Sequence, residues 1–327
     1  MTRFRLPARE DARASGGAEE RMVLRRRRKM GLVLIPVLVL VLMLVPAAVQ
    51  AQSDVILPRV RYFRTPIADP AATRISVGLL ATNLLAQQGD ERPEFTLPDA
   101  EDSAHDVVAA VSVGAVFPLL HVAQWPGGGV TLVSEFKVFS RFRIEYPSRD
   151  DMGQDWYVGG GVEARRNEWS GRAAIIHRSS HMGDEFALQT GAQRIEFGSE
   201  QLDITAAYDV PGMLRTYGGV TWIFRSYLSW EPLLDGLNIR DRAVVQLGAD
   251  REWQPFTNRL VALYAGVDAH AAERTDWDVG IAAAAGIGVH NERSLRLMLR
   301  AYNGPSMMGE FFRTSERYYA LELVAEF

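Results

Sequence analysis

A histidine and a serine two residues apart are the side chains of this sequence best suited to chemistry. His177 and Ser179 flank Arg178 in an alternating run that predicts a β-strand over residues 169–181. Residues two apart on a strand point to the same face, so the imidazole could take the hydroxyl proton and activate the oxygen for attack on an ester. The pair therefore predicts a nucleophile, Ser179, and its general base, His177.

A base of this kind needs a third group that orients its ring. The next predicted strand carries Glu200 in line with its apolar residues. If Trp169 and Tyr208 lie opposite each other as interfacial aromatic residues, antiparallel pairing places His177 opposite Glu200. The sequence then predicts a Ser-His-Glu triad in which Glu200 orients the base.

Asp184 and Glu185 follow the same strand, in the loop after it. Carboxylate oxygens bind calcium, but a calcium ion takes roughly six to eight oxygen ligands. Two interpretations stay open: a calcium site that includes these two acids, and a pair of solvated loop acids. No other cofactor is predicted.

The elements that must position these residues follow an export signal. A basic cluster at Arg25–Lys29 precedes an apolar run at Gly31–Val45, and small residues follow up to Ala51. This order is typical of a cleavable signal peptide. A membrane-anchoring helix is the alternative, although two prolines interrupt the apolar region. We expect cleavage after Ala51.

Composition narrows the function of the exported part. The chain has 327 residues, no cysteine and a net charge of −4. Residues 1–51 carry ten Lys and Arg but four Asp and Glu, an excess of six positive charges, so the net charge of the chain without them is about −10. Such an acidic protein is not expected to bind nucleic acid, and thiol chemistry is excluded. No later apolar run could span a membrane as a helix, so the chain is either soluble or crosses as strands.

Alternation of apolar and polar residues dominates from residue 74 onward. In residues 133–144, for example, Phe136, Val138 and Phe142 alternate with charged residues. The alternation persists for about ten or more residues per segment, the length of a tilted transmembrane strand, whereas soluble strands are about half as long. Short and long connections also alternate, as they do in bacterial outer-membrane barrels.

The predicted fold is an all-β transmembrane barrel of about twelve antiparallel, up-and-down strands. They lie near 74–85, 107–119, 129–144, 155–165, 169–181, 195–208, 213–226, 242–253, 259–270, 276–289, 294–303 and 316–327. An even number of strands places both termini on the same side of the membrane, which is the periplasmic side in bacterial outer-membrane barrels. The chain thus divides into an N-terminal region with the signal peptide (1–51), a periplasmic N-terminal segment (52–73) and an outer-membrane β-barrel (74–327).

If the apolar face meets lipid, the charged residues of the strands point into the lumen. They are Glu135, Lys137, Arg141, Arg143, Glu163, Arg165, Arg172, Arg178, Asp203, Arg215, Arg225, Asp250, Arg296, Arg300 and Glu322. Because arginines outnumber acids, one interpretation is a narrow anion-preferring channel. The other, favoured by the modest strand number, is a packed network of ion pairs that conducts nothing.

The last predicted strand places Tyr319, Leu321, Leu323, Ala325 and Phe327 on one face. This ending resembles the C-terminal assembly signal of bacterial outer-membrane proteins, in which the last residue is typically phenylalanine. The resemblance implies that the barrel assembly machinery recognises the strand ending in Phe327. It also implies that the protein resides in the outer membrane.

The His-x-Ser pair resembles that of two outer-membrane families, phospholipase A and lipid A 3-O-deacylase. Both carry the pair on the outer face of the barrel, typically followed by Asn, whereas Ser180 follows here. The resemblance implies an esterase that acts on phospholipid or on the lipid A of lipopolysaccharide. The alternative is a structural barrel in which His177 and His181 bond lipopolysaccharide head groups.

A second resemblance covers most of the exported chain. From Phe63–Pro70 through Phe139–Phe142 to His177–Phe186, the sequence resembles the bacterial family called domain of unknown function 1207 (DUF1207). The His-x-Ser-Ser-His-x-Gly-Asp-Glu run is its most specific part. This resemblance implies an exported barrel and leaves the activity open.

Overall fold

The computed structural model describes residues 55–84, 106–144, 150–192, 194–195, 197–228, 240–255, 260–289 and 294–326. Three sequence predictions lie outside the described residues: the signal peptide within 1–51, the long loop over 87–105, and the terminal Phe327. Among the described helices, none combines the length and apolar character needed to cross a membrane.

Twelve antiparallel strands close into a barrel. They are β1 (Ile75–Thr82), β2 (Asp106–Trp125), β3 (Gly128–Arg143), β4 (Asp151–Arg166), β5 (Trp169–Met182), β6 (Phe197–Asp209), β7 (Arg215–Ser226), β8 (Ala243–Trp253), β9 (Val261–Ala272), β10 (Val279–Val289), β11 (Ser294–Pro305) and β12 (Ser315–Glu326). Each strand pairs with its neighbours in sequence, and β1 pairs with β12. The predicted fold and its number of strands are confirmed.

Several strand boundaries differ from the prediction by three or more residues, including the end of β1 and the start of β4, and two of the differences have a clear backbone cause. β2 continues six residues beyond its predicted end to Trp125, passing through a register shift at Pro118; proline has no N–H to donate, so the ladder continues only through an irregularity. β10 begins at Val279 rather than near 276. Asp276 and Trp277 there have φ values of 51° and 64°, a left-handed turn conformation that no strand contains.

The apolar side of each strand faces outward. In β12, Tyr319, Leu321 and Leu323 are 58%, 49% and 45% exposed, whereas Ala320 and Glu322 between them are buried. Apolar residues exposed in this alternating pattern form the outer belt of a transmembrane barrel. The predicted assignment of faces is therefore confirmed for this strand.

Many of the described charged residues inside the barrel form ion pairs. Ion pairs join Arg141 to Glu316, Arg172 to Glu135, Arg178 to Asp155, Arg215 to Asp250, and Arg300 to Glu322. A buried charge is tolerated when it is paired in this way. Within the described part of the lumen, these pairs favour the packed network over an open anion-preferring pore.

The segment before β1 lies inside the barrel at the end with the short turns. The carboxylate of Glu163, which is fully buried, accepts hydrogen bonds from the Arg61 side chain at 2.6 Å and from the backbone N–H groups of Tyr62 and Phe63 at 3.1 Å each. Lumenal side chains of Lys137, Arg215 and Arg300 donate to carbonyl groups of Arg64, Thr65, Ile67, Ala68 and Ala71. The sequence predicted an extended segment here, but not its place in the lumen.

The connection between β11 and β12 closes the opposite end of the lumen. Its 3-10 turn at Gly309–Phe311 packs against the short helix α1 (Asp184–Thr190), where the rings of Phe311 and Phe186 lie 5.8 Å apart. The Glu310 carboxylate accepts hydrogen bonds from the N–H groups of Met182 at 2.9 Å and Ile195 at 3.4 Å. Residues far apart in the sequence thus fill both ends of the interior.

Glu310 should make this closure dependent on pH. Burial raises the pKa of its carboxyl to about 7, although the N–H groups of Met182 and Ile195 oppose the shift. Because the folded pKa is raised, the contribution to stability is complete below the ordinary pKa of 4.5 and is lost as the pH rises through about 7. We expect the amides of Met182 and Ile195 to lose protection from hydrogen exchange between pH 5.5 and pH 8.

The Glu310→Gln variant is the matched control, because its side chain keeps an acceptor but does not ionise in this range. Comparison at each pH removes the intrinsic pH dependence of exchange. The prediction concerns the ratio of hydrogen-exchange protection in the wild type to that in the variant. It would be contradicted if this ratio stayed constant between pH 5.5 and pH 8.

Candidate functional site

The predicted triad residues lie where β5 and β6 pair. In the observed register Trp169 is opposite Tyr208, and their ring centroids are 4.8 Å apart. The same register sets His177 opposite Glu200. Antiparallel pairing repeats at every residue, so the aromatic pair at one end of the ladder determines the pairing eight residues further along β5. The predicted register is confirmed.

His177 and Glu200 form a hydrogen bond on the outer face of the barrel. His177 Nδ1 lies 3.0 Å from Glu200 Oε1, and their side chains are 44% and 29% exposed. Apolar residues surround the pair, because Val158 of β4 lies opposite His177 and Ile175 is its neighbour on the same face, both more than half exposed. Polar groups on an apolar outer face are costly without partners, so a hydrogen-bonded pair there is unusual.

Ser179 lies on the same face, two residues after His177. It is half-buried between Trp156 of β4 and Gly198 of β6, which lie opposite it in the two ladders. Among the described residues, no hydrogen bond joins Ser179 to His177. Catalytic hydrogen bonds are often long in the unliganded state and tighten only around a substrate.

The contact between His177 and Glu200 selects which ring nitrogen can act as a base. A carboxylate that accepts from Nδ1 holds the proton there, leaving Nε2 unprotonated. The chemistry available is proton abstraction from a hydroxyl beside the ring, and Ser179 carries the hydroxyl on this face. Glu200 also stabilises the imidazolium that forms when Nε2 takes a proton.

The inner face of β5 anchors the strand that carries the pair. Asp155 accepts hydrogen bonds from Arg178 at 2.7 Å and Ser180 at 2.5 Å, and also from the N–H of Gly309 at 3.0 Å. Arg178 therefore points into the lumen, away from Ser179. It does not reach the outer face, so its side chain cannot donate to an oxyanion that forms at Ser179.

Arg225 does not face the lumen as its position in the alternation predicted. A bulge in β7 shifts the pairing between Glu200 and Gln201, so Gln201 pairs with Ile223 but Glu200 pairs with Arg225. Arg225 is exposed, and its guanidinium stacks on the ring of Tyr227, 4.6 Å from the centroid. One extra residue in a strand reverses the faces of all residues after it, so simple alternation could not place Arg225 correctly.

The two acids predicted for calcium lie at the start of α1. The carboxylate of Asp184 pairs with Arg194, and Glu185 is exposed in the first helical turn. No cluster of three or more candidate metal ligands occurs among the described residues. Asp184 is already paired with Arg194, and a calcium ion takes roughly six to eight oxygen ligands, so the calcium site stays a prediction and no step proposed below uses a metal.

The architecture and the site define a class of protein: a closed antiparallel barrel with an apolar outer belt, as in bacterial outer-membrane proteins, carrying a hydrogen-bonded His-Glu pair on that belt. The chain belongs to the family described as protein of unknown function (DUF1207), whose model matches residues 100–327. No curated protein matches the chain.

Several solved barrels are similar in structure. Outer membrane phospholipase from Salmonella typhi is 10% identical with a TM-score of 0.48, over 79% of this chain and 94% of that one. The Escherichia coli enzyme is 10% identical with a TM-score of 0.49, over 78% and 90%. LpxR from Salmonella typhimurium is 10% identical with a TM-score of 0.34, over 77% and 99%. Function must therefore be inferred from the residues of this chain.

Proposed function

We propose that the protein is an outer-membrane esterase that hydrolyses membrane lipids on the outer face of its barrel. The hydrogen bond of 3.0 Å between His177 Nδ1 and Glu200 Oε1 carries this proposal, because it orients a base on a face that meets lipid. Ser179, on the same face, is the nucleophile. The alternative is a structural barrel in which these polar groups only bond lipid head groups.

The proposed reaction proceeds through an acyl-enzyme. Ser179 Oγ attacks the ester carbonyl carbon while His177 Nε2 takes the hydroxyl proton, and the resulting imidazolium is stabilised by the Glu200 carboxylate. The imidazolium then gives its proton to the departing alcohol as the ester C–O bond breaks. Water, deprotonated by the same nitrogen, then attacks the acyl-serine carbonyl, the bond between the acyl carbon and Ser179 Oγ breaks, and the imidazolium returns the proton to Oγ as the fatty acid leaves.

The position of the site limits the class of substrate. Exposed apolar side chains flank the pair, and the filled interior of the barrel lies behind β5. A substrate that reaches Ser179 must come from the side, within the lipid layer. This favours acyl esters of membrane lipids, either phospholipid or lipopolysaccharide, over soluble esters.

Location and assembly are part of the same proposal. The export signal within residues 1–51 and the apolar belt support an outer-membrane location, with the termini and short turns in the periplasm. The site then lies toward the outer leaflet, because the β5–β6 connection belongs to the opposite end of the barrel. The barrel assembly machinery would recognise the last strand, which ends in Phe327, and insert the chain into the outer membrane.

The purified full chain, refolded into vesicles of phosphatidylethanolamine and phosphatidylglycerol, is expected to release free fatty acid. Lipopolysaccharide-containing vesicles provide the second substrate, and both are assayed with added calcium and with a chelator. Heat-modifiable migration first verifies that the protein is a folded barrel. If this folded protein releases no fatty acid from either lipid, with or without calcium, the proposal is rejected in favour of a structural barrel.

A further inference from the structure

We propose that Arg225 binds the phosphate group of the lipid whose ester Ser179 attacks. This inference rests on the proposed hydrolysis and specifies its substrate as a phosphate-bearing lipid. The evidence is the bulge that turns Arg225 to the outer face, its cross-strand position beside Glu200, and the absence of an ion-pair partner for it among the described residues.

Three residues form a row across adjacent strands. His177 of β5 pairs with Glu200 of β6, and Glu200 pairs with Arg225 of β7. Strands lie about 4.8 Å apart, so Arg225 is two strand spacings, roughly 10 Å, from His177 along the row. In a glycerophospholipid only the glycerol backbone separates the acyl ester from the phosphate. One lipid molecule can therefore place its ester at Ser179 and its phosphate near Arg225.

The charge of Arg225 has no acidic partner within the part of the chain that the structure describes. No carboxylate forms an ion pair with it among the described residues, because Glu200, its cross-strand partner, is hydrogen-bonded to His177. Its neighbours on the same face, Trp222 and Phe224, are apolar and exposed. An arginine at the edge of a lipid layer extends its guanidinium toward the head groups, and a lipid phosphate there can accept its two parallel N–H groups.

The guanidinium of Arg225 is held in place by an aromatic ring. Arg225 stacks on Tyr227, whose N–H donates to the Gly198 carbonyl at 2.7 Å. Gly198 lies opposite Ser179, and a Cβ there would lie 3.2 Å from the Arg178 carbonyl oxygen and 3.4 Å from the Tyr227 ring. Because Gly198 has no side chain, the Tyr227 ring packs against it, which fixes the stacked arginine relative to the strand position opposite Ser179.

The test compares Arg225→Gln with a matched arginine at the other end of the barrel. Arg251 is also exposed and also stacks on an aromatic ring, that of Trp253, at 5.6 Å. Both substitutions are made in the full chain carrying Ser179→Ala, which prevents turnover, and native mass spectrometry measures retention of added phosphatidylglycerol and of diacylglycerol. We expect Arg225→Gln to weaken phosphatidylglycerol retention about tenfold or more and Arg251→Gln to leave it unchanged.

Three outcomes overturn the proposal. The first is an equal loss in the two variants, and the second is retention of diacylglycerol as strong as that of phosphatidylglycerol. The third is binding of inorganic phosphate, added alone, with no preference for the phosphate-bearing lipid. Heat-modifiable migration verifies that each variant is folded, and Arg225→Lys, which keeps the charge, should restore part of the retention.

The kinetic experiment separates this inference from the proposed hydrolysis. In a chain with Ser179 intact, Arg225→Gln should raise KM about tenfold or more and leave kcat nearly unchanged, because the phosphate contact is present before and during the reaction. Fatty-acid release with an unchanged KM overturns the role of Arg225 and leaves the esterase standing. Selective phosphatidylglycerol retention without any release supports the phosphate site and rejects the esterase.

Discussion

Replacing Ser179 with alanine is expected to abolish lipid hydrolysis, lowering kcat by about 10⁴-fold or more. The variant removes the only atom that forms the acyl intermediate, while the His177–Glu200 hydrogen bond stays intact. The His177→Ala variant should lose a similar factor, because a serine hydroxyl without a base is a weak nucleophile. Fatty-acid release from vesicles at saturating lipid measures both.

The chain provides a matched control on the same strand. His181 is also exposed on β5, four residues after His177, and pairs with Gln154 of β4. His181→Ala should leave kcat unchanged. Glu200→Gln should give an intermediate loss, because the amide keeps a hydrogen bond to the ring but does not stabilise the imidazolium. Equal activity of the Ser179→Ala variant and wild type would contradict the assignment of the nucleophile.

Replacing Glu163 with alanine is expected to release the N-terminal segment from the lumen and to lower the free energy of unfolding by roughly 3–5 kcal/mol. The carboxylate is fully buried and binds Arg61 together with the N–H groups of Tyr62 and Phe63. Its removal leaves all three donors without their acceptor inside the barrel. Urea titration in vesicles measures the free energy, and protease cleavage within residues 56–73 reports the release.

Two other substitutions make this result specific. Glu168→Ala removes an exposed acid from the short turn at the end of the same strand, and it should change the free energy of unfolding by less than about 0.5 kcal/mol. Glu163→Gln keeps an acceptor for the backbone amides and should lose less stability than Glu163→Ala. A segment that stays resistant to protease in Glu163→Ala would show that its other contacts suffice to hold it.

Much of the fold follows from local pattern. Alternation is a property of a few neighbouring residues, so it predicts each strand and its apolar face without reference to the rest of the chain. The two departures near Pro118 and at Asp276–Trp277 arise where backbone constraints of single residues override alternation. Signals for these departures are present in the sequence, because proline cannot donate to a ladder.

The site was predictable in part for the same reason. One interfacial pair, Trp169 and Tyr208, determines a whole antiparallel register, so His177 could be placed opposite Glu200 before the structure was known. Arg225 could not be placed in the same way. The bulge in β7 forms where that strand meets β6, and it shifts the faces of the residues that follow.

The sequence by itself determined the strands, the lipid-facing side of regular strands such as β12, and the facing positions of His177 and Glu200, because these depend on spacing within one or two adjacent segments; the export signal stays a prediction. Only the tertiary structure decided that Arg225 joins the outer face and that the segment before β1 fills the lumen. The reason is that Glu163, Arg215 and Arg300, which bind this segment, come from three strands distant in the sequence. Closure of the barrel brings them together.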